Sequence, residues 1–207
     1  MIKCFWFILF LAGSILNIYA QDINATTIDG KPVILKSNGT WAYLEREDDS
    51  NNATIEITVK VKNATEKIEG RFGNVTVWYD PNRWTVQKLT DGTAEYQFVA
   101  LSGESYGRLI SEKIQLTPDF MKKVIESNAR RVSTIFDVLE EKEYIVNGTK
   151  VNYLLARVNM QGLIFIFCYY YWTGETGTIQ LFSYTSESLY NQAKAEIFEL
   201  MNGLEIE

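Results

Sequence analysis

Chemistry in this 207-residue chain has to come from aromatic rings and carboxylates, because it contains no histidine. That removes the commonest general base near neutral pH and the commonest zinc ligand. It also excludes a Ser-His-Asp or Cys-His nucleophile. Trp78, Tyr79, Asp80 and Trp84 fall within one strand-and-turn segment. Rings so placed either rim a binding surface or staple a strand end to the core, and the staple is the simpler reading. Tyr169, Tyr170, Tyr171 and Trp172 run consecutively. Tyr169 and Tyr171 share a face and either line an aromatic pocket for a small apolar or sugar ligand or build core. The central position of their strand favours core. Glu140-Glu141-Lys142-Glu143 offers carboxylates for acid–base work. Neighbours along a strand point to opposite faces, however, which makes this run a solvated edge. No residue is assigned a catalytic role.

The two cysteines are Cys4 and Cys168. Lys3 followed by an apolar run to about Ile18, then Ala20-Gln21, has the make-up of an export signal cut after residue 20. The run is short for a membrane span. Loss of residues 1–20 takes Cys4 with it, leaving 187 residues in which Cys168 stands alone and no internal disulfide is possible. Cys168 sits in an apolar strand with no basic neighbour, which predicts a buried, inert thiol. Loss of Lys3 takes the net charge from −6 to −7. An acidic chain is ill suited to nucleic acid or anionic lipid, which need clustered Lys and Arg. We therefore expect an exported, periplasmic or extracellular protein with no membrane span, no metal and no cofactor. Its partner is expected to be a protein or a small molecule.

Val33-Ile34-Leu35, then Asn38-Gly39, then Thr40-Trp41-Ala42-Tyr43 predict a β-hairpin, because Asn-Gly accepts the positive φ of tight turns. The polar stretch 46–53 reads as a linker, and it lacks the glycine and terminal glutamate of a calcium loop. Residues 54–62 alternate as one half-buried strand. Further strands are expected at 75–79, 94–101, 108–116, 135–146, 150–160, 163–172 and 179–184, with residues 80–84 as a turn. Thr117-Pro118 predicts the start of one helix, with a stripe through Met121 and Ile125. Thr185 or Ser186 is expected to cap a last helix that runs through Leu204. The strand at 163–172 is apolar on both faces, so both must be covered. Tight turns make its neighbours antiparallel. The expected class is α+β: an antiparallel sheet flanked by helices as an α/β/α sandwich, with the N-terminal β-hairpin as an extension.

Residues 75–207 carry an ordered series of motifs: Tyr79-Asp80-Pro81 with Trp84, the helix after Thr117, the Asn147-Gly148 hairpin, and Gly162 opening the aromatic strand. Tyr170-Tyr171 before Gly174, Gln180 in the next strand and a last helix ending at Gly203 complete the series. In this order they resemble the PsbP-like fold, which is shared by the extrinsic subunit of photosystem II, a Ran-GTPase-binding yeast protein and exported bacterial proteins of unknown role. The resemblance implies an accessory or binding role and brings no catalytic residue. The hairpin, with Asp29-Gly30, Val33, Leu35, Asn38-Gly39-Thr40-Trp41 and Tyr43, resembles a segment that follows the signal in exported bacterial proteins. The domains expected are a signal at 1–20, a hairpin at 21–45, a linker at 46–53, a connecting strand at 54–74 and a PsbP-like domain at 75–207. Three functions compete: a non-catalytic exported binding or accessory protein, a carboxylate-based envelope hydrolase, and an envelope structural protein pairing through its hairpin. Six Asn-x-Thr sequons, at Asn24, Asn38, Asn52, Asn63, Asn74 and Asn147, would mark glycans in a eukaryotic secreted protein; the favoured reading is a bacterial one, in which Asn-x-Thr simply suits turns.

Overall fold

The computed structural model describes residues 23–26, 32–36, 40–43, 56–133 and 135–207. The expected signal, the Asn38-Gly39 turn and the polar stretch 46–53 lie outside the described residues. The chain divides into two units, Met1–Ala53 and Thr54–Glu207. In the first, β1 (Ile23–Thr26), β2 (Pro32–Leu35) and β3 (Trp41–Tyr43) form an antiparallel sheet in that order. Leu35 lies opposite Trp41 and Val33 opposite Tyr43. β1, pairing Ile23 with Leu35, is a strand that the alternation pattern does not announce.

The second unit carries β4 (Glu56–Thr58), β5 (Glu66–Glu69), β6 (Val75–Tyr79), β7 (Trp84–Lys88), β8 (Tyr96–Ala100) and β9 (Tyr106–Glu112) before its first helix, α1 (Pro118–Arg130). β10 (Phe136–Val146), β11 (Thr149–Met160), β12 (Leu163–Gly174) and β13 (Gly177–Ser186) follow, then α2 (Tyr190–Met201) and β14 (Leu204–Ile206). Eight strands form one sheet in the order β4-β10-β11-β12-β13-β9-β8-β7, and β14-β6-β5 form a smaller sheet. The large sheet is mixed, since β4 joins β10 in parallel while its other pairs are antiparallel. A purely antiparallel sheet was expected. The departure arises because no tight turn joins β4 to β10, so nothing local dictates their relative direction.

Turn chemistry sets the centre of this sheet. Asn147-Gly148 (φ 48° and 89°) and Gln161-Gly162 (φ 55° and 88°) each place two positive-φ residues between paired strands. Such two-residue turns match the twist of a hairpin. They align Val146 with Thr149 and Met160 with Leu163. The alternation of β12 then divides the core. Ile166, Cys168 and Tyr170 join a cluster containing Ala193, Ile197, Leu200 and Met201 of α2. Phe167, Tyr169 and Tyr171 join a second cluster containing Met121 and Ile125 of α1. Successive strand residues face opposite sides, so each face of β12 meets its own helix. Thr117 caps α1 by accepting a bond from the Phe120 N–H, with Pro118 in the first turn.

Several elements differ from expectation for local reasons. Of the expected strand 54–62, residues 54–55 lie outside the described residues, and within 56–62 only Glu56–Thr58 are strand, with Ile57 74% exposed. Trp84, read as the end of a turn, opens β7. Ser186 remains in β13 and makes no side-chain cap; a single 3₁₀ turn, Glu187–Leu189, separates it from α2. Leu204 belongs to β14 and lies opposite Val77. The helix stops short of it because Gly203 passes so close to β6 that a Cβ there would sit 1.9 Å from the Trp78 carbonyl oxygen. No helix among the described residues is long and apolar enough to cross a membrane.

Burial sets the alkaline limit of stability. It pushes the Cys168 thiol from 9.0 up to about 12 and the Tyr144 and Tyr171 phenols from 10.0 up to about 12. These groups hold their protons more tightly folded than unfolded. Their contribution is therefore complete below about pH 9, where the unfolded thiol begins to ionise, and is lost as pH rises toward 12. We expect a melting temperature that falls steadily from pH 9 to 11 and a Cys168 that resists thiol reagents at pH 7.5. A flat profile, or labelling within minutes in the native state, contradicts this.

Candidate functional site

Most of the sequence-nominated residues are held by contacts within the framework. Trp84 is 2% exposed within the α2-side cluster, and its Nε1–H has no hydrogen-bond partner among the described residues. Asp80 is 6% exposed and folds its own turn: Oδ1 accepts from Asn82 N at 2.8 Å, and its carbonyl accepts from Trp84 N at 2.9 Å. Such Asx turns are why Asp precedes Pro at tight corners. Tyr79 donates to Glu66 Oε2 at 2.7 Å and packs edge-on to Phe98; burial, then that carboxylate, pushes its phenol up to about 12. Trp78 donates to Glu205 Oε2 at 2.6 Å, with Lys60 Nζ 3.5 Å above its ring. These four residues tie β6 and its following turn to β14, β5 and the core.

The acids at 140–143 are each matched by a lysine. Lys142 reaches Glu140 at 2.5 Å, Lys150 reaches Glu143 at 2.7 Å, and Lys122 pairs with Glu141. Glu95 is likewise taken up: it accepts from Arg71 N at 2.7 Å, from Ser111 N at 2.8 Å and from the Ser111 hydroxyl. No group of three or more His, Cys, Asp or Glu side chains gathers among the described residues in a way that could hold a metal ion.

Tyr169 and Tyr171 part company. Tyr171 is 2% exposed in the α1-side cluster and does not reach open space. Tyr169 lies on the floor of a groove of about 510 Å³ between the C-terminal half of α1 and strands β9 and β11–β13. This volume falls in the range of small-molecule sites. Alternation builds the floor: Phe167 and Tyr169 on β12, Phe182 and Tyr184 on β13, and Arg108 on β9 lie on one face. Phe167 and Tyr184 are cross-strand partners whose rings stack at 4.8 Å and 14°, while Phe167 and Tyr169, along the same strand, lie 15° from parallel. Rings stacked across strands stand on end, so their edges face the groove. Ring edges carry the positive part of the aromatic quadrupole.

Polar groups in this floor stand without partners. Gln180 is 5% exposed and Tyr169 6%, both line the groove, and among the described residues neither the Gln180 amide nor the Tyr169 hydroxyl makes a hydrogen bond. Arg108 donates from Nη2 to Gln97 Oε1 at 3.3 Å, but its buried Nε has no partner. Burial raises the Tyr184 phenol, and Arg108 opposes that shift, so charge and ring interact. Arg131 stands at the α1 rim, and no carboxylate lines the groove among the described residues. Asp91, close enough to feel Arg108, spends its Oδ1 on the Thr93 N–H and hydroxyl. Sequence reading singled out Gln180 only as a motif position. It missed Arg108, because nothing local marks one arginine as facing an aromatic floor.

One solved structure shares the fold of this chain. The solution structure of cyanobacterial PsbP (CyanoP) from Synechocystis superposes with a TM-score of 0.50 at 14% identity, covering 69% of this chain and 92% of that one. The fold is PsbP-like. A crystal structure of a Pseudomonas aeruginosa protein of unknown function matches at a TM-score of 0.43 and 11% identity, over 69% of this chain and 98% of that one. No protein-family profile and no curated protein sequence matches this chain.

Proposed function

We propose that the chain is an exported, non-catalytic binding or accessory protein that uses the groove under α1 to hold a small molecule. Its finer architecture is an α/β/α sandwich with an N-terminal β-hairpin extension. The observation that carries the reading is the buried, unpartnered Nε of Arg108, which lines one aromatic concavity together with the polar ends of Gln180 and Tyr169. Buried polar groups are normally satisfied, and an unsatisfied one costs about 1–3 kcal/mol. A bound ligand would supply the missing partners. The hydrolase alternative needs two acids converging in a cleft, and Glu140, Glu141 and Glu143 are instead each held by a lysine.

The test is a titration with N-phenyl-1-naphthylamine, a neutral probe that fluoresces in apolar surroundings. Saturable binding that is lost when the groove is filled by Ala129→Trp supports the reading. Binding that Ala129→Trp leaves untouched, or none at all, overturns it. Export is checked by N-terminal sequencing of the protein recovered outside the cytoplasm, which should begin near Gln21.

The domain boundary is a further prediction. A chain starting at Thr54 keeps β4 and β5 and is expected to unfold in one cooperative transition. Starting at Glu69 removes β4 and all but the last residue of β5, an edge strand whose Ile68 lies opposite Val77. That shorter chain should melt lower while remaining cooperative, since the larger sheet keeps its seven other strands. Thermal melts of both decide it, and a non-cooperative Thr54 chain would refute the boundary.

A further inference from the structure

We infer that the ligand of this groove is a flat apolar molecule bearing a single carboxylate, an inference that rests on the groove being a binding site. Three features select the charge. The chain has net charge −6, yet the groove holds two arginines, Arg108 and Arg131, and no acid among the described residues. Neither arginine makes an ion pair among the described residues. Arg108, Gln180 and Tyr169 all offer donors to the groove, and the buried Nε of Arg108 has no partner. Arg108 on β9 and Tyr169 on β12 lie on either side of Phe182, and Gln180 sits two residues along β13 on the same face, so the three donors come from adjacent strands.

Two more features select the body. Ile125, Val132, Val158 and Met160 add hydrocarbon walls beside the aromatic floor. The upright rings offer positive edges, which complement both an anion and the π-face of a flat ring. A planar carboxylate matches a guanidinium in two parallel bonds, and such charge-assisted pairs are stronger than neutral ones.

The experiment compares 2-naphthoate with neutral 2-naphthylmethanol by calorimetry on the full chain, at low and at raised salt. We expect naphthoate to bind about tenfold or more tightly, because a site built of donors rejects a ligand that leaves them unpaired. Arg108→Gln should erase most of that preference while sparing the alcohol. Gln180→Leu should weaken naphthoate severalfold while leaving the alcohol's affinity nearly unchanged, a combination that a purely structural glutamine would not give. Naphthalene-2-sulfonate, with the same body and a tetrahedral anion, should bind more weakly than naphthoate. Equal affinity for acid and alcohol overturns the carboxylate inference and leaves the groove reading standing. No binding of either ligand overturns both. Should Arg108→Gln fail to fold, the Gln180→Leu result decides alone: unchanged naphthoate affinity refutes the inference.

Discussion

Replacing Trp84 by alanine should cost about 3–5 kcal/mol of stability, as large-to-small changes in a packed core do. For a domain of this size that corresponds to a drop of roughly 10 °C in melting temperature. The residue is 2% exposed among Val77, Phe98, Ala100 and Leu109, and it begins β7, where its own N–H closes the Asp80 turn. Its side-chain N–H meanwhile has no partner. Phenylalanine keeps most of the ring volume and removes that orphaned donor, whose burial costs about 1–3 kcal/mol. Trp84→Phe should therefore lose far less than Trp84→Ala. Neither change should alter probe binding, because Trp84 lies in the α2-side cluster and the groove is built from the other face. Chemical denaturation of both variants checks this. A loss below 1 kcal/mol for alanine would place Trp84 at a surface.

Asn147 carries the second large effect. Its Nδ2 hydrogens go to Asn202 O at 2.8 Å and Leu204 O at 2.7 Å, and its Oδ1 accepts from Lys60 N at 2.8 Å. One side chain thus fastens the β10–β11 turn to the link between α2 and β14 and to the segment after β4. Asn147→Ala should cost about 2–4 kcal/mol, combining three lost bonds with the strain of a methyl side chain at φ 48°. Asn147→Gly loses the same bonds without that strain and should be about 1 kcal/mol less damaging. Equal losses would show that the backbone term is negligible. Losses under about 1 kcal/mol for both would show that the bonds contribute little. Both amide hydrogens are engaged, so a glycan on this nitrogen would displace at least one bond. The folded chain should therefore leave the Asn147 sequon unmodified, which intact mass measurement reads directly.

Local pattern was enough wherever one rule acts without a partner. Asn147-Gly148 and Gln161-Gly162 mark tight turns, because Gly, and Asn at 147, accept positive φ. Ile166, Cys168 and Tyr170 had to face away from Phe167, Tyr169 and Tyr171, because strand side chains alternate. Two apolar faces had to be covered, which made the α+β class readable before any contact was known. Thr117-Pro118 marked the start of α1 for the same local reason: a cap and a preset φ.

Pairing between distant segments was not readable. β4 entered the large sheet in parallel beside β10, and β14 closed against β6, through backbone bonds that carry no residue signature. Short strands such as Glu66–Glu69 and Leu204–Ile206 hold too few residues for alternation to rise above chance. The groove is the extreme case. Arg108, Gln180, Tyr169 and Ala129 come from four elements, and only the registers of β9, β13 and β12, with α1 laid over them, bring these residues around one space. Composition alone established that histidine chemistry is absent, and alternation alone established a two-faced aromatic strand. Tertiary structure decided which of those aromatics became core and which became a floor. Whether a ring is buried by its neighbours or left facing a gap depends on how far the covering helix reaches across the sheet, and that distance is written in no single segment.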